Sequence, residues 1–64
     1  MITLNGAPRD GAGLNIDELL EAEGFNKVHV AVGLNGQVAP KDKYQILILK
    51  DGDEVEVFHF MGGG

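Results

Sequence analysis

The sequence contains no cysteine, and that absence removes disulfides, thiolate zinc sites and cysteine nucleophiles together. Stability must therefore come from packing. Basic residues are scarce: five Lys and Arg stand against ten Asp and Glu, for a formal charge of −5. Phosphate binding needs clustered Lys and Arg, so nucleic acid is not an expected partner, whereas a protein with a basic face suits such a surface. No apolar run approaches the ~20 residues of a membrane span, and no signal-peptide pattern opens the chain. We expect no membrane association and a cytoplasmic location. Length sets a further limit, because 64 residues make one small domain. A chain of this size buries only about 60% of its unfolded surface. A deep catalytic cavity does not fit in it, which argues against a self-sufficient enzyme. Gly11 and Gly13 form a Gly-x-Gly, but Ile16 stands where a dinucleotide fingerprint needs its third glycine and no P-loop lysine follows.

Local signals divide the chain into strands and one helix. Met1-Ile2-Thr3-Leu4 alternates apolar and polar residues and runs into Asn5-Gly6, the dipeptide suited to a two-residue type I′ turn. The returning strand contains Pro8, which cannot donate to a ladder, so it belongs at a sheet edge. A helix is predicted over 14–25, with Asn15 as cap, Glu18 as its capping-box partner, and Leu14 and Leu19 as a hydrophobic staple. Gly24 suits the left-handed position after the helix, and Phe25 can close over Leu20. Residues 28–34 are strongly β-prone, with Val28, Val30, Val32 and Leu34 on one face and His29, Ala31 and Gly33 on the other. Asn35-Gly36 turns the chain again, residues 41–44 form a short helical turn, and residues 46–49 add apolar side chains to the core. Asp51-Gly52-Asp53 then leads into a last strand over 54–60. The whole is α+β, with an expected core of Ile2, Leu4, Ile16, Leu19, Leu20, Val30, Val32, Leu49, Val55 and Val57.

Few residues could carry chemistry. His29 and His59 are the only candidates for metal or acid–base work, and alternation places them on opposite sheet faces, so no metal site is expected. Asp51 and Asp53 fit a turn better than a carboxylate pair. The end of the chain is more informative. Gly62-Gly63-Gly64 follows the last strand, and three residues without Cβ make a thin tail that can thread a channel too narrow for side chains. The same glycines also fit a frayed terminus. Beside the tail, the alternation that turns Val55 and Val57 inward sends Glu54, Glu56, Phe58 and Phe60 to the outer face, next to Ala31 and Gly33. Two aromatics over small residues form a flat apolar patch suited to partner docking, unless a bulge after Val57 reverses the phase and buries both rings.

Taken in order, these signals resemble a known family. The opening hairpin ending in Asn5-Gly6, Asn15-Ile16-x-x-Leu19-Leu20 leading to Gly24, Val30-Ala31-Val32 before Asn35-Gly36, Val38-x-Pro40, Asp51-Gly52-Asp53 and the terminal Gly63-Gly64 together resemble the ThiS-type sulfur carriers of thiamine biosynthesis. Lys41 and Tyr44 depart from that pattern, standing where the family usually has Arg and Trp. The resemblance implies a ubiquitin-like β-grasp domain spanning 1–64, a mixed sheet packed on one helix, a central last strand parallel to the first, and an extended flexible tail over 60–64. It implies that Gly64 is the residue whose carboxylate is adenylated and converted to a thiocarboxylate, with Gly62 and Gly63 as the slim tail. The implied partners are an E1-like adenylyltransferase of the ThiF type, which uses ATP, a sulfur donor, and a thiazole synthase of the ThiG type; no cofactor would be bound by the chain itself. Two alternatives stay open at this point: a carrier for another pathway, such as molybdopterin synthesis, or a ubiquitin-like modifier or interaction module.

Overall fold

A computed structural model describes residues 1–59. Five strands, β1 (Ile2–Leu4), β2 (Ala7–Arg9), β3 (Val30–Leu34), β4 (Gln37–Val38) and β5 (Glu54–His59), form one mixed sheet in the order β2-β1-β5-β3-β4. The last strand is central, parallel to β1 and antiparallel to β3. One helix, α1 (Ile16–Glu23), supplies the second layer. This is the β-grasp arrangement that the resemblance implies. The proline-bearing β2 lies at an edge, paired only with β1 among the described residues.

Both Asn-Gly pairs make the turns expected of them. Asn5 and Gly6 have φ of 51° and 83°, and Asn35 and Gly36 have 51° and 85°, the left-handed pair that matches the twist of a two-residue hairpin. At the helix start the Asn15 side chain accepts the Glu18 N–H at 2.7 Å while the Glu18 carboxylate accepts the Asn15 N–H at 2.9 Å. At its end Gly24 is left-handed, and its N–H and that of Phe25 satisfy the Glu21 and Leu20 carbonyls. The helix is shorter than predicted, 16–23 rather than 14–25, because Leu14 is tied elsewhere: its carbonyl accepts the Leu49 N–H, and the Gly13 N–H bonds the Leu49 carbonyl.

All ten residues expected in the core are buried. Two others join them, Ala39 and Tyr44, the latter only 1% exposed. Two expectations need correction. Residues 46–49 do not all enter the core: Leu49 is buried and Leu47 partly so, but Ile46 and Ile48 are exposed. Ile46 still lies in the turn that follows Lys43, its N–H bonded to the Lys43 carbonyl, and beyond it Ile48, bridged to Asn15, alternates with the buried Leu49 and faces outward. Val28 also lies outside the core, at 66% exposed. It belongs with His29 to a short 3₁₀ turn, Lys27–His29, capped by the Asn26 side chain, and β3 begins only at Val30. The short helical turn expected at 41–44 is a 3₁₀ turn over Lys41–Lys43.

Candidate functional site

The chain leaves the domain through β5, and the sequence of that strand determines what each face presents. Val55 and Val57 are 1% and 7% exposed, while Glu54, Glu56 and Phe58 lie on the opposite face and are open to solvent. The pairing with β3 runs without interruption through Val57↔Val32, Phe58↔Ala31 and His59↔Val30, so no bulge reverses the phase in the described residues. Phe58 is therefore an outer-face side chain, 52% exposed. Its ring lies beside Gly33, where an added Cβ would stand 3.6 Å from Phe58 Cε2. Gly33 thus leaves the space beside which the ring rests. Phe60, Gly62, Gly63 and Gly64, the other candidate site residues, lie outside the described residues.

Side chains from both hairpin turns hold β5 in place. Asn5 Oδ1 accepts the Val57 N–H at 2.9 Å, adding a rung beyond the end of β1. On the other side Asn35 Oδ1 accepts the Glu54 N–H at 2.8 Å, and Asn35 Nδ2 donates to Asp53 at 3.1 Å. Asp53 is 6% exposed, and its other oxygen accepts the Lys50 N–H at 2.8 Å. That backbone hydrogen bond, helped by the Asn35 amide and the nearby Lys50 charge, holds the carboxyl below its ordinary range despite burial. Sequence reasoning took Asn5, Asn35 and Asp53 as turn residues only. Their second role depends on partners up to 52 positions away, and no local signal announces it.

The two histidines are placed differently from each other. His29 lies in the 3₁₀ turn rather than on a strand, which corrects the expectation of a strand position. His59 ends β5, with its ring 5.4 Å from that of Phe25 at 52°. Among the described residues no three His, Cys, Asp or Glu side chains gather where a metal could be held. Lys41 Nζ donates to the Lys27 and Val28 carbonyls at 2.9 and 3.3 Å, which fastens the 3₁₀ turn preceding β3. Tyr44, in the position where the resembled family has Trp, sits beneath it in the core, and burial pushes its phenol above the ordinary range. The described site thus offers a central strand bonded on both sides, an exposed aromatic and an acidic outer face. No helix among the described residues is long and apolar enough to cross a membrane.

Comparison with known proteins bears on the whole chain. The pattern of the ThiS family matches residues 2–64. The Sulfur carrier protein ThiS of Thermus thermophilus is 41% identical over 64 residues, covering 100% of both chains. The crystal structure of thiamine biosynthesis protein ThiS from Geobacter metallireducens superposes with a TM-score of 0.84 at 40% identity, covering 98% of this chain and 97% of that one. A thiazole synthase of Magnetococcus marinus is 41% identical over 64 residues, covering 98% of this chain but only 20% of that protein, so this chain spans about a fifth of its length. With the match running from the first strand through Gly64 and the fold shared at that level, the chain belongs to the ThiS family.

Proposed function

We propose that this protein is a sulfur carrier of thiamine biosynthesis, not itself a catalyst, and that Gly64 carries the sulfur. A free carboxylate is a poor electrophile. A ThiF-type adenylyltransferase would join the Gly64 carboxylate to the AMP moiety of ATP with release of pyrophosphate, and attack by sulfur delivered as hydrosulfide would then form the C–S bond and expel AMP. The product is a thiocarboxylate at the chain end. A ThiG-type thiazole synthase would pass the sulfur to its substrate, with an oxygen from water or from the substrate taking its place on the acyl carbon to regenerate the carboxylate. The partners supply the catalysis, while the carrier supplies position, a slim Gly62-Gly63-Gly64 tail and a docking face at Phe58 and Phe60. An absence of cysteine suits this role, since no local thiol can compete for the activated carboxyl.

The observation that carries the reading is the end-to-end match to the Thermus thermophilus sulfur carrier. Support for the synthase as partner comes from the thiazole synthase that contains a stretch similar to this chain. The test is reconstituted thiazole formation with adenylyltransferase, ATP, sulfur donor and thiazole synthase. The chain ending at Gly64 should sustain it, and a variant with one residue appended after Gly64 should not. Equal activity of the two would contradict the assignment of Gly64.

A further inference from the structure

Strand β5 is central in the sheet, yet past the end of β1 one of its edges has no partner strand among the described residues. Its even-numbered residues face β3: the Glu54 carbonyl accepts the Asn35 N–H, the Glu54 N–H donates to the Asn35 side chain, and the pairing continues through Phe58↔Ala31. Backbone groups alternate sides along a strand, so the odd-numbered residues face β1. Accordingly the Asp53 and Val55 carbonyls accept the Thr3 and Asn5 N–H groups, and the Val57 N–H goes to the Asn5 side chain. There the partner strand ends, because Asn5-Gly6 turns the chain away. The Val57 carbonyl and the His59 N–H point to that same side, and among the described residues no strand pairs with them.

We propose that this edge receives an extended segment of thiazole synthase, which adds a strand beside Val57 and His59 and so aligns the tail that follows. The inference rests on the carrier reading above. Whatever protein takes up Gly64 must lie along the root of the tail, and His59 is five residues from Gly64, about 17 Å of extended chain. Backbone pairing at an open edge gives affinity without needing a particular side-chain sequence. A second copy of the chain is the poorer occupant. Each copy carries a formal charge of −5, so two copies repel on approach.

At 64 residues the chain can be made by chemical synthesis, which permits a backbone test. N-methylation of the His59 amide removes the donor and blocks the edge while keeping every side chain. It should leave the melting curve unchanged and weaken binding to thiazole synthase by about tenfold, the order expected for one lost hydrogen bond plus steric exclusion. His59→Ala, which keeps the amide, should bind within about twofold of the parent. N-methylation of Phe58, whose N–H faces β3, should destabilise the fold instead. Hydrogen exchange adds an independent reading: the His59 amide should exchange quickly in the free chain and become protected in the complex. Equal binding of the parent and N-methyl-His59 chains would overturn the inference while leaving the carrier reading intact. Concentration-dependent self-association through the same edge would also overturn it. Failure of the unmodified chain to bind thiazole synthase at all would sink both.

Discussion

Replacing Asp53 by Ala should cost far more stability than a turn residue ordinarily does. The carboxylate is 6% exposed and accepts two donors, the Lys50 N–H at 2.8 Å and Asn35 Nδ2 at 3.1 Å. Asn35 cannot rotate its amide to compensate, because its Oδ1 is committed to the Glu54 N–H. Each donor left unsatisfied costs about 1–3 kcal/mol, less where water enters the vacated space. Lys50 is exposed, so its N–H is the one that water relieves. The sum is about 2–3 kcal/mol, a large share of what a domain of this size has to spare. The midpoint of thermal unfolding should fall by about 8–24 °C. Asp53→Asn should be intermediate, since an amide can present an acceptor to only one of the two donors. The pH dependence supplies a second check. The folded carboxyl is held below its ordinary range, so its contribution is complete above the unfolded value near 3.9 and is lost as pH falls through the folded one. Urea melts of parent and Asp53→Ala should therefore differ by a constant amount between about pH 5 and 7, and the difference should begin to narrow only below about pH 4. A difference under about 0.5 kcal/mol at pH 7 would refute the reasoning.

Three further outcomes follow from the packing. Leu19→Ala removes a side chain that is 2% exposed and should destabilise by about 2–5 kcal/mol in denaturant melts; an unshifted midpoint would remove Leu19 from the core. Gly11→Ala should cost about 1–3 kcal/mol by the same assay, because the new Cβ would stand 2.8 Å from Ile2 Cδ1 in the core, and a neutral result would mean that Ile2 has room to move. Phe58→Glu, at a side chain 52% exposed, should change stability by less than about 1 kcal/mol while weakening binding to the adenylyltransferase and the thiazole synthase. If it unfolds the isolated chain, the ring is structural and the docking face lies elsewhere.

Much of this architecture is legible in the sequence because a small sheet-and-helix domain has few ways to bury its apolar residues. The inward phase of each element identified ten core positions, and the same alternation put Phe58 on the outer face. The capping box and both Asn-Gly turns are local devices, readable within four residues. Period failed where an element was misjudged. Val28 looks like the start of a strand, but the Asn26 cap and the Lys41 contacts hold it in a 3₁₀ turn. Ile46 and Ile48 look like core, but their segment is pinned to residues 13–15 and turns them outward. Tyr44 escaped because a residue just past a single 3₁₀ turn has no periodicity to betray burial. Asn5, Asn35 and Asp53 escaped because side-chain bonds across 18 to 52 positions are decided by tertiary placement alone. The central place of β5 came from the family resemblance, since alternation specifies a face and not a neighbour.

The central claim is that Gly64 becomes a thiocarboxylate, and intact-mass spectrometry tests it most directly. The chain is incubated with a ThiF-type adenylyltransferase, ATP and a sulfur donor, beside a proven ThiS carrier. The account expects a mass increase equal to replacement of one oxygen by sulfur, with fragmentation placing the change on Gly64. An unchanged mass, under conditions that convert the proven carrier, would contradict it.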